Sequence, residues 1–228
     1  DDANPEAALD AVYRATLRLL YRLLFALYAE SRDLLPVRTP EYHERSITHL
    51  AHRARREFAS GRKLSRKHPD FWNDLQGLFQ TISKGDEVLE VPAYDGGLFD
   101  ADNPANAFLN DHAIGQHYVV RALVNLTAVN PEHDPTGPSV DYKSLDVRQL
   151  GSIYEGLLEH RLRRADEDLG VVREKSTEVY VPLSEAESPV AVVEEGELYL
   201  ETDKSERKKT GSYYTPHYIV EYIVEQTL

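Results

Sequence analysis

Between Leu9 and Ala29 apolar residues recur so densely that one conformation accommodates them. Leu9, Tyr13, Leu17, Leu20, Leu24 and Leu27 follow helical spacing, and from Leu19 to Ala29 the helix is apolar on nearly every side. Asn4-Pro5-Glu6 supplies a start: an N-cap, a proline in the first turn and an acid near the free N–H groups. The spacing predicts a helix to about Ser31, buried at the centre of whatever surrounds it. Arg18 and Arg22 interrupt the run, and it is too short to span a bilayer. Arg14, Arg18 and Arg22, at i, i+4 and i+8, read as a solvated stripe pairing with nearby acids.

The elements that could surround this helix follow in order. Thr39-Pro40-Glu41 opens a second helix expected to reach about Phe58. Pro69-Asp70 opens a third, ending at Gly85, with Phe71, Leu75, Leu78, Phe79 and Ile82 on its core face and Trp72 expected to pack against the first helix. Val88 to Val91 reads as a short strand. Gly96-Gly97 marks a tight turn that returns Leu98 and Phe99 to the core. Asn106 to Val129 has helical periodicity, and Asn130 to Ser139, with three prolines and Gly137, reads as a loop. Asp146 N-caps a fifth helix with an apolar stripe from Val147 to Leu162. After Ala165 the pattern turns β-branched and alternating at Leu169–Arg173, Glu178–Pro182, Pro189–Val193 and Leu198–Leu200, a small antiparallel ribbon.

Charge divides the chain. The formal net charge is −13 over 228 residues, with 18 Arg to 8 Lys, a Lys-poor acidic balance like that of salt-adapted proteins. Asp166 to Glu206 carries 13 acids against three bases. Arg45 to Lys67 reverses the sign, with eight Lys or Arg against the single acid Glu57. On a continuous second helix Arg45, His49, His52 and Arg56 share a face. With Arg53, Arg62, Lys63, Arg66 and Lys67 they are candidate contacts to DNA phosphates, which cations neutralise without reading sequence. The competing reading is an intramolecular partner for acidic surface elsewhere. His49 and His52 could share a metal, but no third ligand lies nearby in sequence and no metal site is expected. The absence of Cys excludes disulfides, thiolate metal sites and a cysteine nucleophile. It fits a cytoplasmic location, and no segment resembles a signal peptide or membrane span. There is no Met, and a helical pattern continues to Leu228 without a C-cap, so a piece of a longer protein is expected.

That last pattern begins at Thr215, an N-cap, and Pro216, suited to the first helical position. Gly211, Tyr213 and Tyr214 precede its free N–H groups, where a small polar ligand could bind; the plainer reading is a glycine loop entering a surface helix.

Several stretches together resemble one family. Leu19-Leu20-Tyr21-Arg22-Leu23-Leu24-Phe25-Ala26-Leu27-Tyr28-Ala29-Glu30 is similar to the first helix of the region preceding the catalytic domain in large adenine-specific DNA methyltransferases. Tyr94-Asp95-Gly96-Gly97-Leu98-Phe99 and Leu150-Gly151-Ser152-Ile153-Tyr154-Glu155-Gly156-Leu157-Leu158 resemble two further blocks, and Gly211-Ser212-Tyr213-Tyr214-Thr215-Pro216 resembles the motif that begins the methyltransferase domain. The family comprises bifunctional type IIG restriction–modification enzymes and the methyltransferases of the BREX and phage-growth-limitation defence systems. The blocks occur in the family's order across most of the chain.

The resemblance implies a mainly α fold: a helical connector over 1–165, an acidic β-ribbon and linker over 166–210, and the first helix of a truncated α/β methyltransferase domain over 211–228. It implies S-adenosyl-L-methionine as cofactor of the complete parent, with Gly211, Tyr213, Tyr214, Thr215 and Pro216 at the cofactor's edge. Double-stranded DNA and other defence subunits are the implied partners. The family's glycine-rich cofactor loop and catalytic Asn-Pro-Pro-aromatic motif are absent. Asn103-Pro104-Ala105-Asn106 and Asn130-Pro131-Glu132-His133 lack the aromatic that stacks on a flipped base. The parent is therefore read as an adenine methyltransferase that also cleaves DNA if it belongs to the restriction class, and this chain as inactive alone. No nuclease centre is visible, because Pro69-Asp70 and Glu206-Arg207-Lys208 stand too far apart. The rival readings are a non-catalytic interaction module of a defence complex and a complete small hydrolase or nuclease.

Overall fold

A computed structural model describes residues 5–94, 96–174, 177–202 and 217–227. The chain forms two compact units, one of residues 14–145 and one combining the residues up to Tyr13 with those from Asp146 onward. Helices predominate and the sheets are small and antiparallel.

Helix α1 (Pro5–Ser31) has the expected span, and Ala26 and Ala29 along it are fully buried. The expected second helix is broken. Helix α2 (Pro40–His43) stops, and α3 (Ile47–Ala59) restarts with Ser46 as its N-cap, whose hydroxyl accepts the His49 N–H at 3.0 Å. The physical cause comes from α1. The buried Glu30 carboxyl accepts from Ile47 N (2.8 Å), Thr48 N (3.0 Å), the Thr48 hydroxyl (2.7 Å) and the Tyr42 hydroxyl (2.9 Å). It takes up the N–H groups that a helix start leaves free, so the break is held open by a residue seventeen positions earlier. Burial, and then the adjoining Glu30, raise the Tyr42 hydroxyl far above the ordinary phenol range.

Helix α4 (Asp70–Lys84) buries the expected face together with Trp72. The expected strand at Val88–Val91 is instead a tight loop. Asp86 and Val91 exchange both backbone hydrogen bonds, the Asp86 carboxylate accepts Val88 N and Leu89 N, and Val88 points to solvent. The Gly96-Gly97 turn does return Phe99 to the core, where its ring meets Phe25 at 5.2 Å and Phe79 at 5.6 Å.

The arginine row expected to be a solvated stripe is exposed only at Arg14. Arg22 is 1% exposed, donates to Leu98 O at 2.8 Å and lies over the rings of Phe79 and Phe99. Arg18 reaches the Asn106 side-chain oxygen at 3.3 Å. Asn106, fully buried, donates in turn to Gly97 O and Asp100 O. These side chains clamp the glycine turn because its backbone carbonyls have no secondary-structure partners. Asn103-Pro104-Ala105-Asn106 is thus structural, a 3-10 turn (Pro104–Asn106) capped by Asn103.

The expected fourth helix is also broken, into α5 (Ala107–Asp111) and α6 (Gln116–Thr127). The expected proline loop is a bulged hairpin of β1 (Ala128–Asn130) and β2 (Asp134–Ser139). Arg55 of α3, 3% exposed, holds it by donating to the carbonyls of Pro135 and Gly137 and to the Ser139 hydroxyl.

In the second unit, α7 (Val147–Leu158) starts with a capping box between Asp146 and Gln149. It ends before Leu162, which lies in β3 (His160–Arg164) rather than on the helix. The expected ribbon is two sheets: β3 pairs with β7 (Leu198–Thr202), and β4 (Leu169–Glu174) lies between β5 (Thr177–Pro182) and β6 (Ala191–Val193). Tyr13 donates to Leu157 O at 2.6 Å, and Arg163 bridges Glu6 and Glu201. Helix α8 (His217–Thr227) follows, with Val220, Tyr222, Ile223 and Val224 exposed.

Candidate nucleic-acid interface

Of the four residues expected to share one face, His49, His52 and Arg56 do lie at i, i+3 and i+7 on α3, and Arg45 does not. Arg45 lies exposed in the turn between α2 and α3, off the helix. His49, half-buried, sets its ring edge-on to His43 at 5.7 Å. His52 is exposed. Partial burial, then Arg55 and Arg56, with His49 and His43, lower its pKa from the ordinary imidazole value. Arg53 is committed: it pairs with Asp74 at 2.9 Å and lies over the Phe71 ring at 4.8 Å. Arg56 and Lys67 are exposed.

Arg62, Lys63 and Arg66 do converge. With Phe58, Gly61, Leu64, Ser65, His117 and Arg121 they line an open groove of about 760 Å³. The local chemistry builds it in three steps. Helix α3 ends at Ala59, and Gly61 turns the chain away in the left-handed region (φ 67°), which glycine enters without steric cost. The Ser65 hydroxyl then accepts Lys67 N and His68 N, tightening the loop. The start of α6 closes on it, with Gln116 N donating to His68 O (2.8 Å) and His117 N to Ser65 O (2.9 Å). At Gly115 the backbones pass so closely that a Cβ would run into the Arg66 carbonyl. This docking is why the expected fourth helix breaks before Gly115. Arg121, one turn after His117, completes the wall.

Among the described residues no carboxylate lines the groove. Among the described residues Arg62, Lys63, Arg66 and Arg121 form no ion pair, so four uncompensated cations face one space in a chain of net charge −13. Sequence spacing found three of them. It missed Arg121 and His117, whose i, i+4 relation lay within an apolar helical pattern and carried no basic cluster of its own.

A second cavity, about 380 Å³, opens among Leu27, Val37, Ala51, Val140 and Tyr142 with Glu30, Arg55 and His52 in its walls. Glu30 and Arg55 spend their hydrogen bonds inside the protein, as does Tyr142, which donates to Leu126 O and whose hydroxyl burial pushes up to about 12. Glu30 and Arg55 are therefore framework. Among the described residues no cluster of three or more His, Cys, Asp or Glu is arranged to hold a metal. Also among them, no helix is long and apolar enough to cross a membrane. Gly211, Tyr213, Tyr214, Thr215 and Pro216 lie outside the described residues.

No family model, curated protein or solved structure matches the chain.

Proposed function

We propose that this chain is the helical connector of a site-specific adenine DNA methyltransferase of restriction–modification or phage defence, and that its groove grips the nucleic-acid backbone. One observation carries the second half: Arg62, Lys63, Arg66 and Arg121 line a groove without a carboxylate in an otherwise acidic protein. Cations that have no internal partner are available to phosphates, and binding releases the counterions condensed there. The methyltransferase half rests on the sequence resemblance. Two of its blocks also meet in space, where Phe25 of the α1 block touches Tyr94 (5.9 Å) and Phe99 (5.2 Å) of the glycine-turn block.

In the complete parent, an adenine is flipped from the stack and its exocyclic amine takes a methyl group from S-adenosyl-L-methionine. The resemblance alone assigns Gly211, Tyr213, Tyr214, Thr215 and Pro216 to the cofactor's edge, and this chain by itself is expected to be inactive. A salt titration of DNA binding tests the groove. Four phosphate contacts give a slope of log K against log salt of about −3.6 for a duplex. Arg66→Glu with Arg121→Glu is expected to flatten that slope and weaken binding at least about tenfold. Absence of binding at low salt favours the interaction-module reading, for which the exposed Val190, Val192, Leu198 and Leu200 of the second unit are the available surface.

A further inference from the structure

The groove holds more than charge. Phe58 and His117 contribute rings to its walls, and Tyr118, the next residue of α6 and outside the lining itself, is 51% exposed with its ring edge-on to His117 at 5.1 Å and 89°. Among the described residues the Tyr118 hydroxyl makes no hydrogen bond, so neither burial nor a polar partner explains the tyrosine there. We propose that the groove takes single-stranded nucleic acid, with Arg62, Lys63, Arg66 and Arg121 tracking the phosphates while an unpaired base at its edge stacks on the exposed Tyr118 ring. This deepens the backbone-binding reading above and rests on it.

The argument turns on what each form of nucleic acid offers. A duplex presents phosphates on its outside and keeps its base faces stacked within, so rings beside the cations gain nothing from it. A single strand offers phosphates and base faces together. Cations along a groove with aromatic rings interleaved are the combination that binds it without sequence preference. The support is prebuilt: the loop bearing Arg62 to Arg66 and the first turn of α6 bearing His117 and Tyr118 are tied by the His117 N to Ser65 O and Gln116 N to His68 O bonds. The His117 ring and the cations are therefore held together before any ligand arrives, with Tyr118 next to His117 in the same turn, which lowers the ordering cost of binding.

Fluorescence anisotropy on the full chain at low salt, with labelled oligo-dT and a mixed-sequence duplex of equal length, tests this. Oligo-dT is expected to bind more tightly than the duplex. Tyr118→Ala should weaken oligo-dT about tenfold and leave the duplex within about twofold, while Tyr118→Phe retains both affinities. Equal affinity for the two probes, with Tyr118→Ala changing neither, overturns the single-strand inference. If Arg66→Glu with Arg121→Glu still weakens both probes in that case, the backbone-binding reading survives it. If that charge reversal changes neither probe, both readings fall. Tyr118 is exposed, so its variants are expected to keep the wild-type circular dichroism spectrum.

Discussion

In residues 14–145 the charged side chains of Arg22, Glu30 and Arg55 are as buried as the leucines around them. In the unit from Asp146 onward the buried apolar residues among those described are Ala165 and Val171, while Val190, Val192, Leu198 and Leu200 are about half exposed or more. The helical unit has enough core to bury charge, provided backbone groups satisfy it. The sheet unit holds together through ladder hydrogen bonds and exposed ion pairs, the weaker kind of support. Polar residues thus do different work in the two: in the first, desolvated hydrogen bonds of buried charges join distant segments, and in the second the charged links, such as Arg163 to Glu6 and Glu201, are partly exposed.

The sharpest test of that contrast is Glu30→Ala. It leaves buried N–H groups of α3 and the Tyr42 hydroxyl unsatisfied, and is expected to cost about 3–5 kcal/mol in denaturant unfolding. A loss below about 1 kcal/mol would mean that the helix break does not depend on Glu30. Next in size is Gly115→Ala, where the added methyl meets the Arg66 carbonyl. About 1–3 kcal/mol of stability should go, and the groove with it, read as weaker oligonucleotide binding.

Arg22→Met is the informative third. Arg22 has no carboxylate partner and one terminal nitrogen without a hydrogen bond. Replacing a buried charge by an apolar chain of similar length is expected to change stability by less than about 1.5 kcal/mol, in either direction. A larger loss would show that the Leu98 carbonyl needs the guanidinium. In the sheet unit, Arg163→Ala should cost under about 1 kcal/mol, and less in high salt, because the pairs with Glu6 and Glu201 are partly exposed.

The smallest effect is one of pH. The His52 pKa is depressed in the folded state, so the unfolded chain binds the extra proton first. Its contribution is present above the unfolded value of about 6.5 and is lost as pH falls through the folded value. His52→Gln should flatten a shallow loss of stability below about pH 6.5, an effect kept small by solvent around the exposed ring.

Much of the fold was legible from local rules. The capping signal at Pro5-Glu6, the core face from Phe71 to Ile82 and the Asp146 cap all act within a turn or two of helix, so sequence alone places them. The acidic, β-branched strands from Leu169 to Leu200 were legible for the same reason, because a period of two is a local property. The misplaced helix boundaries share a cause. Ser46, Gly115 and Leu162 each sat inside a pattern that continued past the true boundary.

What the sequence determined by itself is therefore periodicity, caps and the sign of charge along the chain: a buried first helix, a mainly helical fold with a small β portion, and a basic stretch in an acidic protein. Only the tertiary structure decided where those helices stop and which cations stay free. Glu30 ends one helical pattern from across the core, and another is interrupted between Asp111 and Gln116, where the Ser65 and His68 carbonyls take the first N–H groups of α6. Arg53 and Arg55 are drawn into internal bonds, while Arg121 joins Arg62 and Arg66 across more than fifty residues of chain. Such choices depend on which distant groups compete for the same N–H, carbonyl or guanidinium, and no local pattern records that competition.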